Sequence, residues 1–154
     1  MKVKVFAYGS NMCTRRMKDR VSSAKPLGFA KLLNKRLVCN KKSDDGSGKA
    51  NLEKAAGDTA WGVLYEMDSA ELGKLDDYEK GYKRVSLDVE TEQGALESAW
   101  VYISSKLTDD PRPYEWYKEL MINGALEHHL SSFYIERLKQ IRSKPDPRCA
   151  KKHL

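Results

Sequence analysis

The segment Lys2-Val-Lys-Val-Phe-Ala-Tyr-Gly-Ser-Asn11 sets the frame for the rest of the chain. Val3, Val5 and Ala7 alternate with Lys2, Lys4 and Phe6, the period-two pattern of a half-buried strand. The pattern stops at Gly9-Ser10-Asn11, three residues that tolerate unusual backbone angles or cap a helix. A short basic helix over about Thr14–Arg20 follows. A strand that ends this abruptly before a helix offers free backbone N–H groups, a nest for a carboxylate or a developing oxyanion. Taken alone, Gly-Ser-Asn reads at least as well as a plain helix cap.

Working outward, Pro26 and Gly28 interrupt a β-prone stretch that runs to Asn40, and Lys41–Lys49 is a polar Gly/Ser/Asp-rich loop. Lys49–Lys54 and Thr59–Met67 read as two strands across a turn at Ala55-Ala-Gly-Asp58. Asp68 is placed as an N-cap, with Glu71 in a capping-box position, for a helix over Ser69–Tyr78 that carries Leu72 and Leu75 on one face. Tyr82–Glu90 should turn Val85, Leu87 and Val89 inward, and Glu97–Ser104 should do the same with Ala99, Val101 and Ile103. The Gln93-Gly94 turn joins them as a hairpin. Beyond Pro111-Arg-Pro113, helices are expected over Tyr114–Leu130 and Ser132–Ile141, then a loose tail with Pro145 and Pro147. Strands early and helices late, with one helix between strands, is an α+β order. One domain over 1–142 and a basic tail over 143–154 are expected.

The chain has 154 residues, 40% hydrophobic and 32% charged, a soluble globular composition that needs no metal or disulfide to build its core. Its net charge of +6 is the remainder of large opposing parts: +10 over 1–56, −9 over 57–138 and +5 over 139–154. These are expected to be solvated faces, with the surplus belonging to the tail and surface rather than to a site. A nucleic-acid partner is not expected, because the basic segments lack interleaved aromatics and any known binding motif. Cys13, Cys39 and Cys149 are odd in number and widely spaced, which argues against a disulfide framework or zinc ribbon and suits a cytoplasmic protein. No signal peptide and no membrane-spanning run are read in the chain.

The familiar catalytic motifs are absent: there is no Gly-x-Ser-x-Gly elbow, phosphate loop or His-Glu-x-x-His. Adjacent His128 and His129 would point about 100° apart on a helix and cannot chelate one metal together. Glu79 closes Leu75-Asp-Asp-Tyr-Glu79; on spacing alone it reads as a surface acid paired with Lys83, and Asp76 and Asp77 as exposed solubilising charges.

The ordered set of motifs changes this. Phe6-Ala-Tyr-Gly-Ser-Asn11 is followed by Gly57-Asp-Thr-Ala-Trp-Gly-Val-Leu-Tyr-Glu-Met67, Leu75-Asp-Asp-Tyr-Glu79, Gly81-Tyr-Lys-Arg-Val85, and Tyr117 with Gly124-Ala125. In this order the blocks resemble the gamma-glutamylcyclotransferase family over about 3–141. The resemblance implies a small closed mixed β-barrel flanked by helices, with no cofactor and no metal. It implies that a γ-glutamyl amide cyclises to 5-oxoproline and frees an amine. Glu79 falls on the family's catalytic acid/base, and Phe6, Ala7, Tyr8, Gly9, Ser10 and Asn11 fall on its substrate-cradling strand end and loop. Tyr82 and Tyr117, with Tyr102 as a further candidate, correspond to its pocket tyrosines. One departure stands out: only Lys80 separates Glu79 from Gly81, where family members carry a longer spacer.

That chemistry has its own requirements. The nucleophile is the substrate's own amine, so no Ser or Cys nucleophile is needed, but a base must take the ammonium proton and later return it to the leaving nitrogen. An ordinary glutamate titrates near ~4.3 and is a poor base for an amine, so Glu79 is expected to be partly buried with a raised pKa. The expected partner is thus a small γ-glutamyl substrate, with no nucleic acid and no membrane. A homodimer is compatible with the sequence. A catalytically silent ligand-binding or regulatory protein of the same fold is the alternative.

Overall fold

Strand β1 (Lys2–Ala7) forms the seam of a closed five-stranded barrel in the computed structural model, which describes residues 1–148. The other strands are β2 (Lys25–Lys42), β3 (Gly48–Asp68), β4 (Lys83–Thr91) and β5 (Leu96–Ile103). Around the barrel the order is β1-β3-β2-β4-β5, and β5 returns to β1 in parallel, with Val5 opposite Trp100. Every other pairing is antiparallel, so the barrel is mixed. Four helices flank it: α1 (Thr14–Arg20), α2 (Leu72–Tyr78), α3 (Glu115–Glu127) and α4 (Ser132–Lys139). The fold is the small closed mixed barrel that the resemblance implied. Among the described residues, no helix is long and apolar enough to cross a membrane.

Closure of the barrel explains why the alternation in β1 does not last. Val5, Phe6, Ala7 and Tyr8 are all buried, because this end of the strand is covered on both faces. Val63, Leu64 and Tyr65 of β3 are buried in the same way, and β1 pairs with them from Ala7↔Val63 to Val5↔Tyr65.

β2 and β3 make one long hairpin, and here the sequence expectation fails. Ala55–Asp58 does not reverse the chain; β3 runs straight through it as a single 21-residue strand. Leu33 pairs with Thr59 and Lys35 with Lys54, so four residues of β3 bulge out opposite Asn34. The Gly57 N–H donates to Asn34 Oδ1 at 3.1 Å, a partner that stabilises the bulge from the other strand. Small and polar residues that look like a hairpin turn serve equally well as a bulge.

Other expectations shift for similar reasons. Asp68 makes no capping hydrogen bond, because its carboxylate pairs with Lys2 Nζ at 2.6 Å; Glu71 instead accepts the Ser23 N–H at 3.2 Å. The first turn of the expected helix is 3₁₀, over Ser69–Glu71. Val85 is exposed, since its stretch of β4 has no layer packed over it, whereas Val89, Ala99 and Val101 are core. The chain end is not loose as far as residue 148. Lys144 bridges to Asp110 (2.9 Å) and to the Gly46 carbonyl (2.9 Å), and Asp146 accepts Trp116 Nε1–H at 2.9 Å. Cys149 and the rest of the expected tail lie outside the described residues.

Helix α3 packs on the 3₁₀ turn Ser10–Met12 through Gly124. A Cβ on Gly124 would lie 2.5 Å from the Cys13 backbone N and 2.6 Å from Met12 Cβ, closer than real contacts allow. The turn in question follows β1 directly, so this glycine sets how near α3 sits to the chain that will form the site. Gly124→Ala should cost about 1–3 kcal/mol in urea unfolding, with an unchanged m-value. An equally stable variant would show that the contact is slack.

Candidate active site

A cavity of about 300 Å³ opens where β1 ends, between that turn, the C-terminus of α2 and the loops at 41–49 and 80–82. Its position follows from local structure. The turn after β1 is held from below by Tyr65 of β3, whose hydroxyl donates to the carbonyls of Asn11 (2.8 Å) and Met12 (3.2 Å). With these carbonyls engaged, the N–H groups of Gly9, Ser10 and Asn11 make no internal hydrogen bond among the described residues. All three residues line the cavity. Gly9 must be glycine here, since a Cβ would meet Ala50 Cβ at 2.9 Å and Tyr117 Oη at 3.0 Å.

Helix α2 is anchored from its side. Asp76 accepts two bonds from Arg84 (3.0 and 3.2 Å) and one from the Tyr102 hydroxyl (2.6 Å), so it is a tie between α2 and the β4/β5 hairpin, not a free solubilising charge. One residue past the helix, Glu79 takes a non-helical backbone and turns its side chain inward. It does not pair with Lys83. Asn11 Nδ2 donates to Glu79 Oε1 at 2.7 Å, and the Arg20 guanidinium sits 3.7 Å from the same oxygen. The Glu79 side chain is only 16% exposed. Burial raises its pKa above the usual carboxylate value, against the opposing pull of Arg20, Asn11, Arg16 and Lys49. Asn11 Oδ1 is itself buried and has no hydrogen-bond partner among the described residues, which leaves an acceptor beside the carboxylate.

The tyrosines divide by where their protons go. Tyr8 donates to the Tyr102 carbonyl, a strap between the end of β1 and β5. Tyr82 donates to the Ala50 carbonyl at 2.6 Å. Tyr117 accepts the Ala50 N–H at 3.1 Å and lines the cavity beside Ser10. Burial raises the pKa of all three above the ordinary phenol value, so each is a neutral hydroxyl near neutral pH. Tyr102 also lines the cavity with its proton committed to Asp76. The structure thus brings Glu79, Tyr8–Asn11, Tyr82, Tyr102 and Tyr117 together, with Phe6 and Ala7 in the floor.

What the motif reading did not find is the charge. Arg16, Arg20, Lys41, Lys42, Lys49, Lys80 and Lys106 line the same cavity, against Glu79 and Asp44 alone. Five of these cations come from the basic first third of the chain, which corrects the view that its charge belongs to surface and tail. Arg16 donates to Ser10 Oγ at 3.0 Å and has no carboxylate partner among the described residues. A lysine on a surface loop and a lysine at a cavity wall look the same in sequence; only the basic bias of residues 1–56 hinted at them. Among the described residues, no three His, Cys, Asp or Glu side chains converge as a metal-binding group.

Comparison with known proteins agrees with this architecture. The model of the AIG2-like family matches residues 59–138. The gamma-glutamylcyclotransferases of Homo sapiens and Mus musculus are each 32% identical over 145 residues, covering 88% of this chain and 77% of theirs. A solved gamma-glutamyl cyclotransferase superposes with a TM-score of 0.88 at 27% identity, over 99% of this chain and 98% of that one.

A raised pKa on a buried acid carries a stability consequence. The folded state binds the Glu79 proton more readily than the unfolded chain does, so ionised Glu79 destabilises the fold above its folded pKa, and that cost fades as pH falls through it. Glu79→Gln should therefore raise Tm near neutral pH, with the gain shrinking in acid, as followed by calorimetry. An unchanged or lowered Tm at neutral pH would contradict the burial argument.

Proposed function

The chain belongs to the AIG2-like, gamma-glutamylcyclotransferase family, and on that premise we propose that it converts a γ-glutamyl amine or γ-glutamyl amino acid to 5-oxoproline and the free amine. The observation that carries this reading is the buried pair of Glu79 and Asn11 at the mouth of a cationic cavity. The substrate has an ammonium, which fits the Glu79 carboxylate and the orphan Asn11 Oδ1. It also has an α-carboxylate, which fits the Arg16 guanidinium, held by Ser10 and without a carboxylate partner among the described residues.

The chemistry then needs little more from the protein. Glu79 takes a proton from the ammonium, and the freed amine attacks the γ-carbonyl carbon of its own glutamyl group. A new C–N bond closes the five-membered ring as the carbonyl oxygen becomes an oxyanion. The unengaged N–H groups of Gly9 and Ser10 are the donors for that oxyanion. Losing one such donor typically costs ~10²–10³ in rate. Glu79 returns its proton to the amide nitrogen, and the oxyanion collapses to the lactam carbonyl as the old C–N bond breaks. The second proton of the ring nitrogen passes to the departing amine, which leaves as its ammonium. Holding amine and carbonyl in one conformer supplies much of the acceleration, since oriented intramolecular attacks reach effective molarities of ~10⁵–10⁸ M. The raised pKa of Glu79 narrows its gap to an amine and makes it a better proton carrier than a surface glutamate.

Purified protein incubated with γ-glutamyl dipeptides should release 5-oxoproline, and Glu79→Gln should lower kcat by ~10²–10⁴. Full activity in that variant would sink the role of Glu79, and saturable binding without product would turn the reading to a ligand-binding protein. The pH dependence supplies an independent check. Protonated Glu79 cannot accept the ammonium proton, so kcat/KM should fall on the acid side at a pH above the usual carboxylate range. Arg20 holds the Glu79 pKa down, so Arg20→Met should move that acid limb to higher pH. A shift to lower pH, or none, would separate Arg20 from the titrating group.

A further inference from the structure

Lys41 lies one residue before the end of β2: the residue is 8% exposed, and its Nζ makes no ion pair or hydrogen bond among the described residues. Its ammonium opens on the cavity and is partly desolvated, which disfavours its charge, and an anion entering the cavity would offset that cost. Its neighbours explain its place. The short Glu79-Lys80-Gly81 connection draws Gly81 against it, so that a Cβ on Gly81 would lie 2.9 Å from Lys41 Cε and 3.0 Å from Nζ. Ser104 Oγ–H fixes that connection by donating to the Gly81 carbonyl at 2.7 Å. Lys106 packs along the same glycine, its Cδ 3.6 Å from where that Cβ would lie, and its carbonyl accepts the Lys42 N–H at 2.8 Å. Tyr82 presents its ring 5.2 Å from Lys41 Nζ. Lys42 and Lys80 complete the group at the cavity wall.

These four lysines are separate from the other cations. Arg16 and Lys49 share the ring of Trp116, at 5.9 and 5.7 Å, on the side of Ser10 and Tyr117. Lys49 is also 3.7 Å from Asp45, and Arg20 is 3.7 Å from Glu79. The acids at the same cavity are Asp44, an exposed residue, and Glu79, which is already engaged by Asn11 and Arg20. A γ-glutamyl derivative of a neutral amino acid carries two carboxylates, and the glutamyl one is already met at Arg16. One remaining carboxylate does not account for four lysines, one of them buried.

We infer that the lysines at 41, 42, 80 and 106 form an anion subsite for the leaving amine, so that the preferred leaving group is itself acidic: aspartate, glutamate or a γ-linked run of glutamates. This rests on the proposed cyclisation and specifies its substrate. Lys41 is the specificity residue, because it is the buried member and contacts the connection that carries Glu79. The lysines do not enter the bond-making steps. They bind the departing amino acid in substrate and transition state alike, so their effect belongs mainly in KM.

The test is a leaving-group panel of γ-glutamylglutamate, γ-glutamylalanine and γ-glutamylethylamide, read by 5-oxoproline release. The kcat/KM values should rank in that order, with the glutamate-to-alanine ratio falling as salt is raised. Lys41→Met should lower that ratio by about tenfold or more, chiefly through KM. Lys106→Met should lower it less, and Lys41→Arg should restore part of it. A ratio near one in the unmodified protein, or a ratio unchanged in folded Lys41→Met and Lys106→Met, overturns the subsite while leaving the cyclisation intact. If no member of the panel yields 5-oxoproline, the cyclisation falls and calorimetric binding to the Glu79→Gln variant decides the subsite. Tighter binding of γ-glutamylglutamate than γ-glutamylalanine, lost with Lys41→Met, supports it; equal binding overturns it.

Discussion

The hydrogen bond from Asn11 to Glu79 joins two parts of the chain 68 residues apart, and the site depends on it. Neither partner could hold its place alone. Asn11 sits in a turn whose carbonyls are fastened by Tyr65, and that tyrosine is fully buried in β3 beside β1. Glu79 ends a two-turn helix that is tied down by Asp76 to Arg84 and Tyr102. The barrel therefore supplies rigid supports on both sides of one carboxylate. Burying that carboxylate destabilises the folded state, and the neighbouring Arg20 and Asn11 offset only part of the cost. Such a group survives where its perturbed pKa is useful, as at many sites of proton transfer.

Around this pair the charges are sorted by distance. The nearest groups act singly: the amide of Asn11 by a hydrogen bond, and the guanidinium of Arg20 as an ion pair at 3.7 Å. Further out, the lysines at the cavity wall make a positive field that would gather an anionic ligand before any contact forms. The same cavity thus offers a negative point for an ammonium inside a positive surround, and a γ-glutamyl compound has that pattern of charge.

Much of the local structure is legible in the chain. The strand before Tyr8-Gly-Ser-Asn11, helix α1, the β4/β5 hairpin and the two late helices follow period and turn chemistry. The failures share one cause. Ala55–Asp58 carries the small and polar residues of a turn, but β2 lies alongside on both sides of it, and pairing across the bulge outweighs local preference. The capping box at Asp68 and Glu71 is lost because Lys2 and Ser23, distant in sequence, offer these acids better partners. Among the residues that line the cavity, Glu79, Tyr82, Tyr117 and Phe6–Asn11 were reached through the order of motifs. Arg16, Arg20, Lys41, Lys49 and Lys106 were not, because nothing in a lysine's sequence neighbourhood records which way it faces.

By itself, then, the sequence determined the kinds of element, their order and the family, since periodicity, glycine placement and motif order are properties of neighbours along the chain. Tertiary structure decided what Glu79 is. In sequence it is one acid among three at a helix end, with a lysine four residues away. Barrel closure removes it from water and sets it against Asn11 and Arg20. Desolvation and long-range contact set a carboxylate's proton affinity, and both come into being only when the chain is folded.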